Sequence, residues 1–293
     1  MPELPEVETI RQDLRVVLRG KKITAVTATK PKMVVGNVTA LKKFLVGATV
    51  ADIDRRAKLL IFSFKKSDHV MLLHLKMTGQ LIFQSNQDII AGGHSWPAVP
   101  KAEELPNKYS HIIFTFHDQS RLFFNDLRQF GYVELVSTEA KNMIVKTYGI
   151  EPLTPDFTWE NFRDAITHRT TAIKNVLLNQ AIIAGLGNIY VDESCFMARV
   201  RPMRPANDLT HAELKLLYRA CQQIIKQAIK YRGTTFNSYR DTKGRSGNFV
   251  KKLKVYGRAG QLCVRPTCRQ ASVKLVRTKV NGRGTVYCPS CQK

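Results

Sequence analysis

The sequence predicts an α+β protein of several domains: an N-terminal β-sandwich, a central helical region and a C-terminal zinc-binding β-hairpin. Three observations predict it. Short apolar stretches with alternating polar positions recur from about residue 22 to 136, the pattern of half-buried antiparallel strands. From about residue 155 the apolar spacing becomes helical. Four of the six cysteines lie beyond residue 262, in two close pairs.

The chain opens MPELPEVET. After Pro5, the positions Val7, Ile10, Leu14 and Leu18 keep helical spacing until Gly20 ends the run, so a leading helix buries one face and fixes the N-terminus. Strands follow in KITAVTAT, ATVADI, KLLIFSF, HVMLLHLKM, QLIFQ, YSHIIFTF, SRLFFNDL and YVELV. The stretch SNQDIIAGGHSWPAVPKAEELPNK interrupts them; its adjacent glycines and three prolines predict a surface excursion, not another core strand. WENFRDAI and IKNVLLNQAI are short helical segments, and AGLGN interrupts the chain before IYVDESCF. A longer helix runs from Thr210 to about Tyr231, because Thr210 and Glu213 have capping-box spacing and Leu214, Leu217, Cys221, Ile224, Ala228 and Ile229 form one apolar stripe. Cys221 and Cys195 are core residues on this reading. The boundaries fall at 1–136 for the sandwich with its leading helix, 137–155 for a linker, 156–245 for the helical domain and 246–293 for the hairpin domain.

Composition narrows the function. The 293 residues carry 46 basic and 23 acidic side chains, a formal charge of +23. That makes a polyanion the expected partner, although charge alone does not separate DNA from RNA or an acidic surface. The imbalance is greatest in residues 240–293, with fourteen Lys or Arg and one acid, Asp241. No apolar run is long enough to cross a bilayer, no secretory signal opens the chain, and no glycine-rich phosphate or dinucleotide loop is found. A cytoplasmic, nucleoid-associated location is expected.

Cys263, Cys268, Cys288 and Cys291 read C-x4-C-x19-C-x2-C. Two such pairs suit a closed tetrahedral sulfur site, for which zinc is the favoured ion, and leave no position for a catalytic water. Between them SVKLVRTKV and GTVY form a hairpin. Arg283 lies in its NGRG turn, placed for phosphate, with an ordinary solvated turn residue as the alternative.

These pieces occur together in one family. The motifs MPELPEVET, KLLIF around Lys58, LHLKMTGQL, FNDLRQFG, QAIIAGLGNIYVDE and GRGTVYCPSCQ make the sequence resemble bacterial formamidopyrimidine-DNA glycosylases over nearly all of its length. Leu4 stands where the related endonuclease VIII typically has glycine, which favours the oxidised-purine branch. The resemblance implies a helix-two-turn-helix in the central domain, one structural zinc ion, and a monomer that binds damaged or abasic double-stranded DNA in a cleft. It implies excision of 8-oxoguanine and formamidopyrimidines, followed by β,δ-elimination at the abasic site. Pro2, freed of Met1, would attack the sugar, with Glu3 as acid-base and Lys58 as phosphate-holding support. Glu6 would support the site, or place a favourable charge at the helix N-terminus. Met77 and Phe130 would fill the emptied stack, Arg128 would meet the orphaned cytosine, and Asn188 and Arg283 would hold phosphates.

Several positions depart from the family pattern: Gln129 where arginine is frequent, Lys76 where glycine is frequent, four residues within the first cysteine pair, Arg232 and Asn237 in RGTTFNSY, and the insertion at 86–108. A noncatalytic zinc-containing DNA-binding protein is the competing class. It accounts for the charge and the cysteines but not for Pro2, Glu3 and Lys58 together.

Overall fold

The computed structural model describes residues 1–86, 89–94, 101–234 and 248–293; Asn237 lies outside them. The chain divides into two compact units, Met1–Lys146 with Tyr231–Val250, and Thr147–Lys230 with Lys251–Lys293.

In the first unit, helix α1 (Leu4–Leu18) is followed by β1 (Ile23–Ala28), β2 (Val34–Val35), α2 (Val38–Leu45), β3 (Val50–Arg56), β4 (Leu59–Phe64), β5 (His69–His74), β6 (Gly79–Gln84), β7 (Ile89–Gly93), β8 (Ser110–Phe116), β9 (Arg121–Asp126), β10 (Tyr132–Ser137) and α3 (Thr138–Lys146). The strands form two five-stranded sheets, ordered β1-β8-β9-β6-β7 and β2-β10-β5-β4-β3. All pairs are antiparallel except β2 with β10. One core joins them, with Phe62, Met71, Leu73 and Val133 from one sheet and Leu81, Phe83, Phe114 and Phe124 from the other.

Helix α1 closes the side of the sandwich where both sheets end, packing on β7 and on β3 and β4. Val7, Ile10, Leu14 and Leu18 enter the core, each worth about 1.5–3 kcal/mol of burial. Pro5 sits in the first turn, where its missing N–H costs nothing. The polar face is tied down by Arg15 to Asp52 and by Glu8 to Arg55 and Arg11.

Here the structure corrects the sequence reading. Part of the excursion after β6 is itself a strand, β7, paired with β6 at the edge of its sheet, with Ile90 and Ala91 buried. Its glycines, which signal a loop, instead let α1 come close: a Cβ on Gly92 would lie 2.3 Å from Ile10 Cγ1. Helices α2 and α3 were also not anticipated; α3 carries no buried residue and so has little apolar periodicity to read.

In the second unit come α4 (Trp159–Ile166), α5 (Ile173–Leu178), α6 (Asn188–Ala198), α7 (His211–Lys230), α8 (Pro266–Gln270) and the hairpin β11 (Val276–Val280) with β12 (Arg283–Tyr287). The capping box of α7 forms as expected: the Thr210 amide donates to Glu213 at 2.8 Å and the Glu213 amide to Thr210 Oγ1 at 3.3 Å. Cys195 and Cys221 are buried in the core. Helix α6 also carries two buried acids that fasten later chain to it. Glu193 accepts the backbone amides of Lys254, Val255 and Tyr256. Asp192 accepts Lys174 Nζ at 2.6 Å and the Val286 amide at 3.0 Å.

Candidate active site

The N-terminus of α1 is buried, with Pro2 buried, Glu3 3% exposed and Glu6 7% exposed. Glu3 caps the helix, and its amide donates to Glu6 Oε2 at 2.9 Å. Glu6 Oε1 accepts both the amide and the hydroxyl of Thr234, at 2.7 and 3.0 Å. Lys58 enters from the turn between β3 and β4 and is 5% exposed.

The electrostatics gather these groups around the chain's amine. Burial lowers the Met1 ammonium from its ordinary 8.0; Glu3 and Glu6 pull it back up, and Lys58 lowers it further. A neutral, nucleophilic amine is favoured by this balance. Three buried side chains, Glu3, Glu6 and Lys58, thus act electrostatically on one amine, an arrangement suited to proton transfer and covalent catalysis.

His74 completes this region and was missed from the sequence, although it lies within the quoted LHLKM motif. It pairs across the sheet with Leu59, next to Lys58. Burial, then Lys76 and Lys58, push its imidazolium down to about 3. Its Nδ1 accepts the Lys76 amide at 2.9 Å, so the neutral ring carries its proton on Nε2 as a donor.

Met77 and Phe130 are 37% and 53% exposed, not core residues. They stand at the tips of the connections β5–β6 and β9–β10, and the Arg128 guanidinium lies 4.6 Å from the Phe130 ring centre. Lys76 and Gln129 in these turns, and Arg232 after α7, adopt left-handed conformations, with φ of 48°, 55° and 62°, where glycine pays no steric penalty; Lys76 in place of the frequent glycine therefore has a backbone cost, whereas Gln129 in place of arginine adds none. Arg232 forms an ion pair with Asp13 of α1 at 2.5 Å, and Lys76 Nζ lies over the Tyr132 ring.

The second unit holds a concavity of about 300 Å³, lined by Asn188, Asp192, Tyr256, Arg277 and Gly284 among others. Asn188 begins α6, and its Nδ2 donates to Gly284 O at 2.9 Å, as does Lys174 Nζ at 3.0 Å. Arg283, next to Gly284, is exposed. The structure therefore sets Asn188 against the backbone next to Arg283, whose side chain does not line the concavity, and adds Tyr256 and Arg277, which sequence reasoning missed because nothing local marks them apart from other residues of a basic tail.

Cys263, Cys268, Cys288 and Cys291 place their sulfurs within 4.8 Å of one another, so the cluster could hold a metal ion. The Cys263–Cys291 and Cys268–Cys288 separations are both 3.9 Å. A tetrahedral ion with sulfur at about 2.3 Å requires about 3.8 Å between sulfurs, so the four residues fit such a group.

Comparison with known proteins bears on both units. Residues 1–133 match the formamidopyrimidine-DNA glycosylase N-terminal domain, and residues 148–240 the H2TH domain of the same family. A formamidopyrimidine-DNA glycosylase of Lactobacillus delbrueckii subsp. bulgaricus is 38% identical over 295 residues, covering all of both chains; one from Listeria monocytogenes is 37% identical over 297 residues, again with full coverage. Among solved structures, the Lactococcus lactis Fpg in complex with DNA containing an abasic site superimposes with a TM-score of 0.86 at 35% identity over all of both chains. A variant of that protein bound to Fapy-dG-containing DNA does so with the same score, identity and coverage.

Proposed function

The chain belongs to the formamidopyrimidine-DNA glycosylase family, and from that premise we propose how its own residues act. The protein is a DNA glycosylase for oxidised purines such as Fapy-dG, with the abasic-site lyase activity typical of its family. Its substrates include 8-oxoguanine in duplex DNA.

Met1 is removed, and the Pro2 nitrogen attacks C1′ of the damaged nucleotide as the base departs. Because proline is a secondary amine, the opened sugar is held as a cationic iminium, which acidifies the neighbouring sugar protons for β- and then δ-elimination. Glu3 protonates the sugar ring oxygen as it opens and exchanges protons during elimination. Glu6 holds the Glu3 amide, fixing the backbone beside the nucleophile. Lys58 and the Nε2–H of His74 hold the phosphate next to the lesion. Extruding the nucleotide costs a few kcal/mol; Met77 and Phe130 refill the stack, and Arg128 meets the cytosine left behind.

Asn188, Tyr256, Arg277 and Arg283 grip backbone phosphates irrespective of sequence, so a scanning enzyme can bind anywhere and test each base. Cys263, Cys268, Cys288 and Cys291 hold one structural zinc, which shapes the hairpin carrying Arg277 and Arg283. On this reading domains 1–136, 156–245 and 246–293 divide catalysis, phosphate contact and clamping among themselves. The charge of +23 supports a monomer associated with the nucleoid.

The observation that carries this reading is the buried cluster of amine, Glu3, Glu6 and Lys58 at the start of α1. Borohydride reduction during reaction with an abasic duplex tests it: the trapped adduct is expected on Pro2 by peptide mapping. Glu3→Gln is expected to abolish excision of an oxidised purine while duplex affinity stays near wild type. An adduct on a lysine, or full excision by Glu3→Gln, overturns the assignment.

A further inference from the structure

Met77 and Phe130 stand on different connections, and strand pairing sets only their roots, with Gly79 opposite Asp126. One carboxylate joins the tips. Asp126 is 1% exposed. Its Oδ1 accepts the Thr78 hydroxyl, next to Met77, and the Arg128 amide at 3.1 Å; its Oδ2 accepts the Gly131 amide at 2.7 Å. The Arg128 amide also reaches Thr78 Oγ1 at 3.0 Å. Phe130 is therefore bracketed by two backbone anchors on the same side chain that holds Thr78.

The surroundings allow Asp126 little freedom. Its own carbonyl is held by the His111 ring at 2.9 Å. Gly131 has no room for a side chain, since a Cβ there would lie 2.5 Å from Phe124 Cζ and 3.0 Å from Asp126 Oδ2. A buried carboxylate with three donors converging on it is well satisfied, and replacing one oxygen by an amide NH2 would set donor against donor.

We propose that Asp126 is a positioning residue that couples the Met77 loop to the Arg128–Phe130 loop, so that both enter the duplex as one unit. This rests on the DNA-facing roles proposed above for Met77, Arg128 and Phe130. Loops so joined seat together or not at all; once one tip is lost, losing the other costs less.

A double-mutant cycle of Met77→Ala and Phe130→Ala, read as affinity for a duplex carrying a tetrahydrofuran abasic analogue, tests the coupling. The double variant is expected to bind about fivefold better than the product of the two single losses, as for side chains sharing one network. In an Asp126→Asn background the losses should simply multiply. Thr78→Val removes only the bridging hydroxyl and should uncouple the tips too, with the thermal midpoint tracking fold integrity; it carries the test alone if Asp126→Asn does not fold. Single losses that multiply in the wild-type background, or coupling that survives in Thr78→Val, overturn the proposal. If neither single variant weakens binding, the void-filling roles fall, and this inference falls with them; that outcome is distinct from intact roles without coupling.

Discussion

Glu6 and Thr234 lie 228 positions apart, yet the Thr234 amide and hydroxyl both donate to Glu6 Oε1. The other oxygen of the same carboxylate holds the Glu3 amide. One side chain therefore links the residue beside the proposed nucleophile to the segment that follows α7. Between Arg232 and Thr234 the chain passes so close that a Cβ on Gly233, whose φ is +81°, would lie 2.6 Å from Glu6 Oε1. Gly233→Ala is expected to cost about 1–2 kcal/mol from the left-handed backbone alone and to displace Glu6. Urea denaturation and single-turnover excision should both register the change; wild-type values in both would show that this contact does not position Glu6.

The balance of charges around the amine makes a signed pH prediction. Burial and Lys58 lower the amine's pKa, while Glu3 and Glu6 raise it; the Pro2 nitrogen, once exposed, is expected to feel the same groups. Removing the Lys58 cation in Lys58→Met therefore raises that pKa, so the neutral amine appears only at higher pH. The half-maximal point of the single-turnover pH profile should move up, alongside a rate loss of about a hundredfold from lost electrostatic support. Glu6→Gln should move the half-maximal point down. A shift of the Lys58→Met profile to lower pH would contradict the assigned neighbours.

Strong periodicity explains what could be read from the sequence. All eight strands drawn from alternating stretches form, as do α1, α4 and α7, because a run such as Val7, Ile10, Leu14 and Leu18 states its buried face outright. The four-cysteine cluster that could hold a metal ion was legible because four like ligands at short spacings have few other uses. What was not legible depends on tertiary partners. Strand β7 is stabilised by β6 and α1 despite its glycines. Tyr256 is placed by Glu193, whose carboxylate collects three backbone amides from a segment with no regular structure. Thr234 matters because a distant carboxylate needs donors, and no local pattern signals that.

The Lys174–Asp192 pair, 0% exposed on both sides, places Gly284 and Val286 of the hairpin beside α6. Burial pushes Asp192 up to about 6 against the pull of Lys174, so at neutral pH it is still mostly ionised. Lys174→Met leaves that charge buried without its counter-ion, at an expected cost of about 3–5 kcal/mol in urea denaturation. The sign with pH is fixed. Without Lys174 the folded-state pKa of Asp192 rises further above its unfolded value, so the carboxyl protonates readily as pH falls. The deficit of the variant should therefore shrink from pH 7 to pH 5. A deficit that grows on acidification would mean that Asp192 is not the charge being exposed.

Arg277 of β11 lines the concavity, and Arg283 is exposed at the start of β12. If each neutralises a phosphate, Arg277→Ala and Arg283→Ala should each weaken undamaged and damaged duplexes alike and reduce the slope of log affinity against log salt by about 1. A loss confined to one base sequence would argue for base readout instead.

Metal removal gives the broadest test of the hairpin. Cys263, Cys268 and Cys288 pack with Phe196, Val255, Leu275 and Val286 in one small core. So little apolar surface cannot hold two strands and a basic turn by itself; structural zinc in comparable small sites contributes about 10–16 kcal/mol. Chelation until metal analysis reads empty should unfold the hairpin and weaken duplex affinity at least as far as the Arg277→Ala/Arg283→Ala double variant. Cys288→Ser should behave the same way without chelator. The sandwich has its own continuous core, so hydrogen exchange in β4, β5 and β9 should stay slow in the chelated protein. Full duplex affinity in metal-free protein would show that the thiolates serve some purpose other than shaping the clamp.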